Sequence, residues 1–500
     1  APVTTLPPSA TPTPSPVPPI PSPDPVTPLT PPNPVDLTQP EVPLNSLPLL
    51  QNNNIGTLAI DDSFKGDFTQ ALGLGETQGI TLPEARNILR HIEKATGIKP
   101  ALIYAVFVPS TITPVPASDL ERGVRSGQLG VSSGEQRQWG VGEKEMQSNL
   151  LRALSPQESD RLELILITSQ GSPIRRSTNA TRAEVLSVAK KFRSELTNPI
   201  ERSGFLTPAQ KMYQWLVAPI EPDLQQQQIK NLAYIMDAGL RSIALAALHN
   251  GKEFIIERYS VGLMPSLSLT DTRYVDVRNT SVLAMGIEKF TDKNPLPAVP
   301  VELSLITGQL WSGKSFLNDR FTLSNLQAAR TAQPFGIIHL ATHAEYQPSD
   351  PNNSYIQLWD SQLRLEQLRQ MGLHKPPVEL LVLSACRTAL GDEENELGFA
   401  GLAAQAGAKS VLGSLWYVSD EGTLGLMAEF YEQLKQTSLK AEALRRSQLA
   451  LLKGQVRIQG GKLITSRSSF PLPQKIARWG DTDLKRPYYW SAFTIIGNPW

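Results

Sequence analysis

The sequence predicts an α/β protein with a mostly parallel central sheet flanked by helices. Three observations predict it. Short apolar runs of strand length recur along the chain: ALIYAVFV at 101–108, LELILIT at 162–168, SVLAMGI at 281–287, FGIIHLA at 335–341 and LLVLSA at 380–385. Such continuous runs are those of strands covered on both faces. Between them lie stretches with helical spacing and helix start and stop residues. Strands that alternate with helices imply parallel pairing through crossovers.

The first 54 residues have another character. Eighteen of the 42 prolines fall between Ala1 and Pro48, mixed with Thr and Ser, and no Lys or Arg precedes Lys65. Proline removes backbone donors and opposes helix interiors and central strands. Residues 1–54 are therefore expected to be a disordered, extended Pro-rich linker. Residues 55–160 read as an N-terminal α/β part with a long loop, and 161–500 as the main domain. The 500 residues suffice for about three average domains.

Charge and cysteine content exclude several classes. The 47 basic and 47 acidic residues cancel, so the chain offers no electrostatic footprint for nucleic acid or anionic membrane. No apolar run approaches the ~20 residues that span a bilayer. The start lacks the basic and apolar regions of a signal peptide. The chain opens at Ala1 without Met, so a removed leader and a trimmed start both stand, and with them an exported or a cytoplasmic location. A single cysteine excludes an internal disulfide and any multi-cysteine metal site.

In chain order, Leu58 to Phe64 reads as a short strand. TLPEARNILRHIEKATG, from Thr81 to Gly97, carries an N-cap Thr, early Pro and Glu, apolar Ala85, Ile88, Leu89 and Ile92, and a stopping Gly. Residues 110–155 are a Gly-, Ser- and Gln-rich excursion. Thr181 to Leu196 is an amphipathic helix. Met212 to Pro219 and Gln228 to Leu232 read as helical, and Tyr234 to Leu248 and Phe254 to Val261 as strands and turns. Val301 to Leu310 is a helix. After Cys386 come a polar loop (Leu390 to Leu397), a small-residue helix (Gly398 to Ala408), a strand (Ser410 to Trp416), a helix (Asp420 to Gln436) and a last strand (Thr494 to Ile496). No repeat of 34 or 40 residues occurs.

Chemistry concentrates at two strand ends. ELLVLSACR, Glu379 to Arg387, delivers Cys386 just past an apolar run, and FGIIHLATHA delivers His343 in the same way. Open α/β sheets carry reactive groups at the C-terminal ends of their strands. A thiol and an imidazole there are the parts of a nucleophile and base pair. An imidazolium lowers the thiol pKa to give the attacking thiolate. Backbone N–H groups at Cys386 and Ala344 are candidates to hold the oxyanion. The plain alternative is a buried structural cysteine, since free cysteine is often fully buried.

Two other patterns compete for attention. His339 and His343 form H-x-x-x-H, but on a strand four residues at ~3.3 Å separate them by about 13 Å. No Glu follows His339, so the metalloprotease motif is absent and no metal or other cofactor is expected. His339 reads as structural; His91, His249 and His374 read as surface or loop residues. GQLWSGKS, Gly308 to Ser315, satisfies the phosphate-loop pattern GxxxxGK[ST]. That loop should follow a strand and open a helix, whereas here it follows helical VELSLITGQL.

FGIIHLATHA, ELLVLSACRTALG, GFAGLAAQAGAKSVLGSLW and RPYYWSAFTIIG together resemble the CHAT family, the caspase-like peptidase domain often found beside tetratricopeptide repeats. The resemblance runs over residues 55–500. It implies a caspase-like α/β fold and a His–Cys dyad at His343 and Cys386. SACRT is similar to the caspase QACRG signature, with Ser384 at the Gln position. Ala344 departs from the Gly that follows the catalytic His in caspases, and the repeats that sense partners are absent from this sequence.

Specificity in caspase-like enzymes is set by a charged pocket residue. Asp350, Asp360, Asp392 and Asp420 fall near the presumed cleft edge, and Asp420, Asp360 and Ser384 are the substrate-binding candidates. An acidic pocket favours Lys or Arg before the scissile bond; the plain reading of Asp420 is a helix N-cap. Asp392 to Glu396 reads as a solvated acidic loop. Two functions follow: a cysteine endopeptidase acting on protein or peptide substrates, or a catalytically silent scaffold that binds a regulatory protein.

Overall fold

A computed structural model describes residues 60–62, 64, 79–109, 156–198, 203–345, 354–384 and 407–500. The chain divides between Ser46 and Leu47, and every described residue lies in the second unit. The Pro-rich segment, the excursion at 110–155 and the stretch 385–406 lie outside the described residues.

The strands, in chain order, are β1 (Pro100–Val108), β2 (Arg161–Ile167), β3 (Ile174–Thr181), β4 (Asn231–Met236), β5 (Ser260–Leu263), β6 (Val282–Gly286), β7 (Gly313–Leu317), β8 (Ile337–Ala341), β9 (Ala344–Glu345), β10 (Tyr355–Gln357), β11 (Gln362–Arg364), β12 (Leu380–Leu383), β13 (Ser410–Ser414), β14 (Arg457–Gln459), β15 (Lys462–Ile464), β16 (Ser469–Pro471), β17 (Thr482–Asp483) and β18 (Phe493–Gly497). The helices that matter below are α1 (Leu82–Thr96), α2 (Arg182–Thr197), α3 (Leu206–Leu216), α4 (Glu221–Gln226), α5 (Val299–Leu305), α6 (Leu323–Ala332), α7 (Leu365–Gln370), α8 (Asp420–Leu434) and α9 (Lys440–Leu452).

An 11-stranded sheet runs β3-β2-β1-β4-β5-β18-β13-β12-β8-β6-β7. Neighbours are antiparallel at β1/β2, β2/β3 and β13/β18 and parallel elsewhere. Two parallel blocks therefore point in opposite directions and meet at β18 and β13. In the second block β6 connects outward to β7, and the chain then crosses to β8 on the other side. The order β7-β6-β8-β12-β13 is a doubly wound 2-1-3-4-5 arrangement, whose switch point lies between β6 and β8. Leu380 to Leu383 of β12 and Ile337 to Ala341 of β8 are buried throughout, which is why their sequences carry no polar face.

Local signals explain the helix ends. Thr81 and Glu84 form a capping box for α1, and Gly97 ends it at φ 72°. Thr181 and Glu184 do the same for α2. Gly286, at the end of β6, serves close packing: a Cβ there would stand 2.5 Å from Val299 Cγ1 and 2.9 Å from the Ala341 carbonyl oxygen.

Two expectations fail. Ile60 to Asp62 and Phe64 are helical, not a strand. Asp61 is fully buried there and accepts from the N–H groups of Leu267 (2.6 Å) and Ser268 (2.9 Å) and from the Tyr104 hydroxyl (3.0 Å), a tertiary anchor with no local signature. Gln228 to Leu232 is not helical either: α4 ends at Gln226, Gln228 takes φ 57°, and β4 begins at Asn231.

The approach to β12 depends on a buried cation. Arg330 of α6 is 7% exposed and donates to the carbonyls of Met371 (2.8 Å), Gly372 (3.1 Å), Pro376 (3.3 Å) and Lys375 (3.5 Å). Burial lowers its pKa. Arg330→Met keeps the apolar stem and removes the two guanidinium nitrogens that face these four carbonyls. It is expected to cost about 2–3 kcal/mol, read as a lower urea midpoint, because buried carbonyls lose their partners.

Candidate active site

All five strands of the second block release their C-terminal ends at one edge. β8 releases His343, β12 releases Ser384, β6 releases the segment 288–298, β7 releases Asn318 and β13 leads to Asp420. His343 thus stands beside the β6/β8 switch point, where doubly wound sheets form their crevice.

The imidazole of His343 is partly buried and held from one side by segment 288–298. Its Nε2 lies 2.8 Å from the Asn294 carbonyl oxygen, and the Phe290 ring lies 4.6 Å from the imidazole centroid. The Asn294 contact makes Nε2 the proton-bearing nitrogen in the neutral ring. The backbone after His343 turns into β9, which pairs with β10. The Gln357 N–H donates to the His343 carbonyl at 2.9 Å. Ala344 opposite Ile356 is therefore a non-hydrogen-bonded pair of that ladder, and the Ala344 N–H points away from β10.

Cys386 lies outside the described residues, as do Asp350 and Asp392. The last residue described before it, Ser384, is 1% exposed; its N–H donates to the Leu340 carbonyl at 3.1 Å, and its hydroxyl has no partner among the described residues. Ser384 thus faces inward at the strand end. Asp360 is exposed at the turn between β10 and β11, where it accepts from the Ser361 hydroxyl at 2.9 Å.

Asp420 is not the N-cap of α8; Ser419 is, accepting from the Gly422 N–H. Asp420 occupies the first helical position, and its Oδ2 accepts from the Ala298 N–H at 3.3 Å. Ala298 ends the segment that holds His343, so Asp420 is tied to that segment at the sheet edge. Burial pushes its carboxyl up to about 7, Glu302 and Glu421 push the same way, and the Ala298 N–H opposes them.

His339 is fully buried. Its Nδ1 lies 3.2 Å from the Tyr431 hydroxyl, and its Nε2 lies 3.0 Å from Glu302 Oε1, a close contact that is not aligned as a hydrogen bond. That places it in the core, away from the edge. The GxxxxGKS stretch runs from a helical turn at Ile306–Leu310 into edge strand β7, the reverse of a phosphate loop. No group of three or more His, Cys, Asp or Glu able to hold a metal occurs among the described residues, and no described helix is long and apolar enough to cross a membrane.

The sequence reading missed Asn294, Phe290 and the Tyr355 hydroxyl discussed below. A backbone carbonyl leaves no side-chain signal. The turn-forming run after β6, with Asp292, Asn294 and Pro295, marked a loop at a strand's C-terminal end and was the available clue.

Among solved structures the chain is similar to the separase of Saccharomyces cerevisiae in its complex with securin, at 12% identity and a TM-score of 0.39, over 88% of this chain and 33% of that one. It is also similar to the complex of Porphyromonas gingivalis RgpB pro- and mature domains, at 9% identity and a TM-score of 0.35, over 63% and 76% of the two chains. The Arg specific cysteine proteinase gingipain R matches at 10% identity and a TM-score of 0.34, over 61% and 69%. The chain spans about a third of the length of the separase chain. Among curated proteins none matches the sequence. The family model of the CHAT domain matches residues 206–498, more than half of the chain and all of the edge that carries His343 and Asp420. The chain belongs to the CHAT domain family.

Proposed function

We propose that the protein is a cysteine endopeptidase in which His343 is the base and Cys386 the nucleophile. One observation carries the reading. Leu340 of β8 pairs with Leu383 of β12, an offset of 43 positions, and His343 and Cys386 are separated by the same 43. Each residue comes three positions after a member of that registered pair, on neighbouring parallel strands. Cys386 is two residues beyond Ser384, which limits its Cα to about 7 Å from that described position.

The chemistry follows from this pairing. With Nε2 donated to Asn294, a thiol meets His343 through Nδ1. The imidazole takes the thiol proton, and the thiolate attacks the scissile carbonyl carbon as the C=O electron pair moves to oxygen. The N–H groups of Ala344 and Cys386 receive that oxyanion. The imidazolium then protonates the departing amine, and the C–N bond breaks to leave a thioester. Water, deprotonated by the imidazole, attacks the thioester and releases the acid and the thiol. Asp420 at the crevice would supply the negative charge for a Lys or Arg side chain before the cut.

A peptide library incubated with the wild type and with Cys386→Ala tests the reading. Cleavage products are expected from the wild type alone, enriched in Lys or Arg before the new C-terminus. Identical product sets from both proteins would leave the silent scaffold.

A further inference from the structure

Segment 288–298 is closed at its base by the Leu296 N–H donating to the Glu288 carbonyl at 2.9 Å, and the Glu288 N–H donates to Asn318 Oδ1 at 2.8 Å. Those contacts fix its ends on the sheet edge. They do not fix its middle, where Asn294 meets His343. Next to Asn294, Lys293 Nζ lies 3.0 Å from the Tyr355 hydroxyl oxygen and 5.5 Å from the centroid of its ring. The same hydroxyl donates to Glu345 Oε2 at 2.8 Å. Glu345 is two residues after His343, and Tyr355 is its partner across the β9–β10 ladder.

We propose that Tyr355 is a positioning residue for His343, its hydroxyl tying the loop that carries Asn294 to the hairpin that carries the backbone after His343. The inference rests on the reading of His343 as the base. One oxygen accepts from the cation of the loop and donates to the anion of the hairpin. Both partners are charged, so both hydrogen bonds are of the stronger, charge-assisted kind. The loop side sets where the Asn294 carbonyl stands, and the hairpin side sets where the Cα of His343 stands. Fixing both fixes the ring between them. A phenylalanine at 355 would keep the ring beneath Lys293 and lose both hydrogen bonds. The hydroxyl's role can thus be separated from packing.

The plain alternative is an exposed ion network that adds little to anything. A network of that kind would move stability slightly and leave the His343 ring where it is. The titration of Cys386 distinguishes the two, and the chain has no other thiol to confuse it.

The test is the pH dependence of iodoacetamide alkylation of the full chain, compared among wild type, Tyr355→Phe, Lys293→Met and His343→Ala. His343→Ala is expected to return the thiol midpoint to the ordinary value near about 8.5. Tyr355→Phe and Lys293→Met are expected to shift it the same way by about half a unit, with alkylation at pH 7 slowed about threefold, because a misplaced imidazolium stabilises the thiolate less. The double variant is expected to shift no further than either single one. In peptide cleavage the same variants should lower kcat and leave KM unchanged. If His343→Ala shifts the midpoint and Tyr355→Phe does not, the positioning role is wrong and the dyad stands. If His343→Ala itself titrates as wild type, the dyad and the positioning role fall together. A matched melting temperature for Tyr355→Phe excludes unfolding as the cause.

Discussion

Cys386→Ala is expected to lower kcat/KM for peptide cleavage by about 10⁵-fold or more, with an unchanged circular dichroism spectrum. Alanine offers no electron pair to the scissile carbonyl, and the remaining groups can only bind and polarise it. His343→Ala is expected to cost a similar factor, because an unassisted thiol is only a few per cent ionised near neutral pH and no imidazolium remains to protonate the departing amine. The double variant should be no worse than either single one, since base and nucleophile act as a unit. Steady-state hydrolysis of a basic peptide, with protein concentration taken from tryptophan absorbance, measures all three. A loss of tenfold or less in Cys386→Ala would remove the nucleophile from this residue. The equal 43-residue offsets would then have no catalytic meaning.

Those offsets show why the site was readable at the level of strands. β8 and β12 are central and covered on both faces, so their sequences are continuous apolar runs, and the first residues free to be reactive come just after them. The α1 and α2 helices were readable for a different reason: each has a Thr and a Glu three positions later, a purely local device. What escaped notice lacks local causes. β3, IRRSTNAT, is an edge strand whose first four residues are partly or fully exposed, and its adjacent Arg175 and Arg176 break the apolar alternation. β7, GKSFL, is the other edge and was masked by its likeness to a phosphate loop. Edge strands need only one neighbour and can stay polar. The reversal between the two parallel blocks depends on β13 pairing with β18, more than 80 residues later, and no window of sequence reports such a pairing.

The same limit applied to Asp420. Its position just before an apolar helix reads as a cap, and Ser419 takes that place instead. An acid in the first turn of a helix is normally favoured as the anion. Here burial wins, and the carboxyl titrates at about 7, more than the N–H of Ala298 can offset. The sign of the consequence is definite. The folded state holds this proton more tightly than the unfolded chain, so the stabilising contribution is fully present below the ordinary Asp value of 3.8 and is lost as pH rises through about 7. A shift of that size corresponds to about 4 kcal/mol at most, less for the part of the carboxylate that water still reaches. Asp420→Asn, a permanent mimic of the protonated form, is therefore expected to match the wild type near pH 4. By pH 8 it should exceed the wild type by on the order of 3 kcal/mol in denaturant unfolding. Catalysis should respond in the opposite sense. A Lys or Arg side chain entering the crevice needs the ionised form, so KM for a basic peptide is expected to fall as pH rises through about 7 in the wild type and to stay high and flat in Asp420→Asn. A peptide with a neutral residue at that position should show neither effect. If basic and neutral peptides share one pH profile while the stability difference appears as stated, Asp420 is a buried acid of the fold and the specificity charge lies elsewhere.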